Sequence, residues 1–219
     1  MELLESWPLT DRPDLRDRLL AAYDDPARGY HDRIHLSEVV ANIGRLRPEL
    51  PRPEQEIALW PPPHLHAILL AAWYHDAIYD GGADLEERSA VLAETELAAA
   101  GCDPAVVAEV ARLVRLTASH RPAADDPVGA VLCDADLAIL ASDEERYAAY
   151  VAGVRQDYAH VEAGAFRVGR LAVTEELVAR RWLFHTTTAR GLWEDEARAN
   201  LTREIAELSA GPATDPPPG

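Results

Sequence analysis

Three stretches of the 219-residue chain put metal-binding side chains into apolar surroundings: Tyr30-His31-Asp32-Arg33-Ile34-His35, Trp73-Tyr74-His75-Asp76 and Cys133-Asp134-Ala135-Asp136. Burying an imidazole or a carboxylate without a partner costs several kcal/mol, so such groups need a reason to be there. Alone, His75-Asp76 reads as a hydrogen-bonded core histidine beside a helix-end carboxylate. The other two stretches change that reading. His31 and His35 are four apart, hence on one face of a helix, and Asp134 and Asp136 put two carboxylates on another apolar segment. Adjacent helix positions point about 100° apart, so His75 and Asp76 reach one ion only in a wedge between packed helices. Two imidazoles and two carboxylates suit Mn, Fe, Co, Ni or Zn, and suit Mg less. Four protein ligands leave open positions on a six-coordinate ion, which is the layout of a catalytic metal.

The elements that must position these groups read as helices throughout. Strand signals are scarce, whereas apolar residues recur at helical spacing over 14–23, 31–46, 65–79, 85–100, 106–117, 128–140, 142–160, 170–182 and 192–208. The segment 65–79 is apolar on all sides and predicts a buried central helix. Asp103-Pro104 is a cap followed by a first turn, and Ser142 with Glu145 forms a capping-box pattern. Gly164 and Gly169 are read as bracketing a turn. The expectation is an all-α bundle of about eight helices, one domain over 1–209, with a disordered proline-rich tail over 210–219.

The formal charge of −17, from 38 acidic and 21 basic residues, all Arg, argues against a nucleic-acid polymer as partner. A bound divalent cation fits it better. Cys102 and Cys133 are too few and too far apart for a disulfide framework, which points to a reducing, cytoplasmic setting. No run of 18 apolar residues suggests a membrane span.

The order His, His-Asp, Asp on successive helices resembles the HD-domain superfamily of metal-dependent phosphohydrolases. The segments PARGYHDRIH (26–35), YHDAIYD (74–80), EERSA (86–90), LTASH (116–120), CDADLAILA (133–141), YAAYVAGVRQDY (147–158), FRVGR (166–170) and EDEARANL (194–201) resemble a bacterial family of predicted metal-dependent HD phosphohydrolases. The resemblance implies an HD-domain-like fold and His35, His75, Asp76 and Asp136 as ligands of a divalent ion. His31 competes with His35, or faces the site as a substrate group; Asp134 is the alternative to Asp136. His120 matches an extra histidine that some HD enzymes use for a second metal or for phosphate. Glu86 and Ser89 fit the family pattern, while Leu85 stands where that pattern usually carries Asn. Arg28, Arg155, Arg170 and Arg198 fall in matched segments, as phosphate contacts or as ties between helices.

The expected activity is therefore hydrolysis of a nucleotide or other small phosphate ester by a metal-activated water. Asp76, Glu86 and His120 are the catalytic candidates, with Asp80 a further one for proton transfer; His31, Arg28, Arg155 and Arg170 are the substrate contacts. Two alternatives keep the scaffold: an HD-type two-iron oxygenase, and a regulatory protein that binds metal or nucleotide without turnover. A homodimer stays open as the assembly state.

Overall fold

The computed structural model describes residues 2–50 and 63–210, with side chains in the second part from residue 65. The described residues form nine α-helices and no strand: α1 (Pro13–Tyr23), α2 (Arg33–Leu46), α3 (Pro63–Tyr74), α4 (Leu85–Ala99), α5 (Pro104–Leu116), α6 (Pro127–Leu137), α7 (Glu144–Asp157), α8 (Ala163–Ala179) and α9 (Thr187–Ala210). Proline occupies the first turn of α1, α5 and α6, where its missing N–H is harmless. Asp32, Asp103, Asp126 and Asp143 each cap a helix by accepting from its first free N–H groups. Part of the chain's acidity thus sits where helix dipoles favour it.

The core is built around α3, which packs against α2, α4, α5 and α6. Ile68, Leu70, Ala71, Ala72 and Trp73 are fully buried, as an all-round apolar helix requires. The Trp73 indole N–H donates to Ser6 Oγ at 2.9 Å, and the Tyr23 hydroxyl donates to Trp73 O at 3.3 Å, fastening the N-terminal segment and α1 to this helix.

Several boundaries differ from the sequence expectation for identifiable reasons. α3 stops at Tyr74, so His75 and Asp76 lie in the turn beyond it. His75 N still bonds Ala71 O at 2.8 Å, but Ala77 N turns to Tyr74 O at 3.1 Å and Arg28 captures the Asp76 and Ala77 carbonyls. His31 precedes α2, whose cap is Asp32. Asp143, not Ser142, caps α7. Gly164 and Gly169 lie inside α8, which Glu162 starts by accepting from Gly164 N and Ala165 N. That helix and the earlier start of α9 replace the expected pair 170–182 and 192–208. Ala210 belongs to α9; the rest of the expected tail, and the proline-rich stretch 51–62, lie outside the described residues. No helix among the described residues is long and apolar enough to cross a membrane.

Candidate metal centre

His35 comes from the first turn of α2, His75 and Asp76 from the turn after α3, and Asp136 from the last turn of α6. His35 and His75 are almost wholly buried. Asp32 fixes the start of α2 by accepting from His35 N at 3.1 Å. The His75 ring has Nδ1 2.7 Å from Ala72 O, an arrangement that puts the proton on Nδ1 and leaves the Nε2 lone pair facing inward. His75 Nε2 lies 3.0 Å from His35 Nε2 and 3.8 Å from Asp136 Oδ1. His35 Nε2 is 3.2 Å from Asp136 Oδ1. One ligand atom each from His35, His75 and Asp136 falls within 4.8 Å of the others, a group that can hold a metal ion. Asp76 Oδ2 flanks it, 3.4 Å from His35 Nε2 and 3.1 Å from His75 Nε2.

The electrostatics of this cluster follow from charges with little solvent. Burial pulls His35 down, but hydrogen bonds with Asp136 and Asp76 outweigh it and lift the imidazole to about 10. Burial also opposes ionisation of both carboxylates. His75 and His31, with hydrogen bonds from His35, nevertheless hold Asp76 well below the usual range, and hydrogen bonds from His120 and His35 do the same for Asp136. Two bare imidazole nitrogens 3.0 Å apart need a positive charge between them, either a proton or a cation. A divalent cation fits this donor set and would displace the proton.

That displacement has a sign. A histidine raised from 6.5 to about 10 stabilises the metal-free fold fully below 6.5 and loses that contribution as pH climbs towards 10. Asp76 and Asp136, both lowered, contribute above the ordinary carboxylate range and lose it on acidification. Metal affinity is therefore expected to rise with pH by roughly tenfold per unit while one proton is released. Titration calorimetry with Mn in buffers of different ionisation enthalpy measures that proton directly, and a flat affinity with no proton release would contradict the assignment.

The carboxylates of Asp76 and Asp136 open onto a cleft of about 570 Å³. His31, Glu86, His120 and Arg170 are among its polar lining residues, and Tyr79, Val154, Tyr158, Phe166 and Val173 line it with apolar surface, largely from α7 and α8. His120, at φ 51°, holds a left-handed conformation unusual for a non-glycine residue. Its Nε2 lies 2.8 Å from Asp136 Oδ2, so it orients the carboxylate whose other oxygen faces His35.

His31 has a partner that the sequence reading did not single out. Its Nδ1 is 2.7 Å from Asp157 Oδ2, and its ring stacks on Tyr79 at 3.9 Å and 20°. The Asp157 side chain, 1% exposed, also accepts from Gly29 N and Tyr30 N. Burial pushes this carboxyl up, yet the hydrogen bonds from His31 and Gly29 leave it below the ordinary range. The approach that permits this is glycine on glycine: a Cβ on Gly29 would collide with the Gly153 carbonyl oxygen, and one on Gly153 would lie 2.9 Å from Gly29 C. Gly153→Ala is expected to push α7 from this loop and release His31, read as loss of stability by about 1–3 kcal/mol in denaturant unfolding.

Other expected site residues serve elsewhere. Asp134 is fully buried and accepts from His185 N and Thr186 N, both at 2.7 Å, so it pins the chain entering α9. Asp80 is exposed and paired with Arg88 through both oxygens, at 2.8 and 2.6 Å. Ser89 is buried and its hydroxyl accepts from Ile78 N at 3.1 Å, steadying the turn.

The arginines expected to meet substrate are largely committed to protein groups. Arg28 donates to His31 O and Asp76 O, each at 2.8 Å, and to Ala77 O at 3.2 Å. Arg155 donates to Tyr158 O and Val161 O, and Arg198 to Glu194 and three carbonyls. Arg170 lines the cleft but is held by Glu204 through two hydrogen bonds of 2.7 and 3.0 Å. Compared with protein-family models, with curated proteins and with solved structures, the chain matches none.

Proposed function

We propose that the protein is a metal-dependent phosphohydrolase acting on a nucleotide or other small phosphate ester. The observation that carries this reading is the convergence of His35, His75 and Asp136 on one point within 4.8 Å, beside a cleft large enough for such a substrate. The order in which these residues occur resembles that of HD-type phosphohydrolases and supports the same reading. A divalent ion held by His35, His75 and Asp136, with Asp76 alongside, would supply Lewis acidity and an activated water.

The chain's own groups account for the remaining tasks. His120 keeps Asp136 in register through Oδ2. The His31 ring, held by Asp157 at Nδ1, lines the cleft, where it can hold or pass a proton at a phosphoryl or leaving-group oxygen. Glu86 is a further carboxylate lining the cleft. With Arg170 neutralised by Glu204, an anionic substrate is met by local groups, not by a positive field.

The test is elemental analysis of the purified chain, followed by a phosphate-ester panel with Mn, Co, Ni, Fe and Mg. Release of inorganic phosphate that depends on added metal, and vanishes with His75→Ala, supports the reading. Stoichiometric metal with no turnover of any ester would replace it with a binding role, and iron-dependent oxygen uptake would replace it with oxygenase chemistry.

A further inference from the structure

The acidity of this chain makes one surface feature stand out. Between α8 and α9, a groove of about 560 Å³ is lined by Arg121, Arg180, Arg181 and Arg190, with Glu176 the single carboxylate and Trp182 beside them. Four of the 21 basic residues of a chain with formal charge −17 thus meet in one concavity. Glu176 is shared by Arg121, at 2.6 Å, and Arg180, at 3.2 Å from each of its oxygens. One carboxylate does not neutralise four guanidinium groups.

Beyond Glu176, these arginines make no ion pair among the described residues, although Arg180 Nη2 also donates to Ser119 O at 3.3 Å. Arg180 Nη1 is buried without a hydrogen-bond partner. Arg190 uses only Nε, on Phe184 O at 2.8 Å, while its guanidinium lies over the Trp182 ring at 5.1 Å. Arg181 is exposed and its side chain makes no hydrogen bond or ion pair to the described residues. Four like-charged groups held together with a single acid raise one another's energy, and forked guanidinium donors match the oxygens of a tetrahedral anion.

The groove is a separate compartment from the metal cleft. His120 lines both, its imidazole bound to Asp136 on the metal side and its carbonyl oxygen accepting from His185 Nε2 at 3.0 Å on the other. We propose that this groove binds a small phosphate-bearing anion, separately from whatever occupies the metal cleft.

The experiment is calorimetric titration of the full chain with inorganic pyrophosphate at low ionic strength in EDTA, which requires neither bound metal nor activity. Wild type is expected to bind one pyrophosphate per chain. Binding should weaken roughly tenfold or more in Arg181→Ala/Arg190→Ala, which removes two charged donors. Arg181→Glu, which breaks no side-chain hydrogen bond or ion pair of the described residues, should lose it as well. His75→Ala should bind as wild type does. The proposal is overturned if wild type does not bind, if Arg181→Glu binds unchanged, or if His75→Ala loses as much as the arginine variants, which would put the anion in the metal cleft. Failure here leaves the hydrolase reading standing, and failure of that reading leaves this binding intact.

Discussion

Replacing His75 with alanine is expected to remove the bound metal and, with it, any phosphate-ester hydrolysis. Of the two imidazoles that converge on the site, only His35 then remains, and the carboxylates of Asp76 and Asp136 face it with less positive charge between them. Loss of a group that merely supports a ligand lowers metal affinity by roughly 10–100-fold, so loss of a ligand itself should exceed that. Stability gives an independent readout. A metal at a hundred times its Kd stabilises the folded state by about 2.7 kcal/mol, so wild type should melt higher with Mn than with EDTA, and the variant should not. His75 also binds Ala72 O, so Asp136→Asn, close in shape, serves as the companion that separates lost metal from lost packing. If both variants keep stoichiometric metal and the same metal-dependent rise in melting temperature, the centre is not where these residues meet.

Much of this arrangement was legible in the sequence, because the signals were local. Apolar spacing located most of the helices, and imidazoles and carboxylates in apolar segments marked His31 and His35, His75 and Asp76, and Asp134 and Asp136; the preference for His35 and Asp136 came from the resemblance, not from the spacing. What escaped depended on contacts between distant residues. Nothing within residues 65–79 ends a helix at Tyr74; Arg28, nearly fifty positions upstream, does so by holding the Asp76 and Ala77 carbonyls. Gly164 and Gly169 look like turn residues, yet Glu162 supplies a strong start to α8, and Gly169 sits at the cleft with nothing within 4 Å of where a Cβ would be. Arginines of identical type serve different ends because Glu204 faces Arg170, carbonyls face Arg28, and Arg181 has neither. Asp157 did leave a trace. A carboxylate in the last turn of a helix opposes the helix dipole, which argues that something nearby, here His31 and two backbone N–H groups, requires it.

Arg28→Ala is expected to have the largest effect of any change outside the ligands. The residue is 8% exposed and its charged nitrogens reach three carbonyls, at 2.8, 2.8 and 3.2 Å, with the guanidinium 4.9 Å from the centre of the Tyr23 ring. Hydrogen bonds to charged groups contribute about 1.5–3 kcal/mol each and are not additive, so a loss of about 3 kcal/mol or more is expected in denaturant unfolding. For a chain of this size that is a fall in melting temperature of about 6–12 °C. The anchored carbonyls belong to His31, Asp76 and Ala77, so the same substitution should loosen the turn carrying His75 and lower metal affinity by roughly 10–100-fold. Arg28→Lys keeps the charge but cannot span three acceptors with one ammonium, so it should recover only part of either loss. This separates the two roles open to Arg28. A residue that binds substrate phosphate would raise KM while leaving unfolding and metal affinity as in wild type. A residue that shapes the turn must change all of them together, because the atoms it holds are the backbone on which two site residues stand.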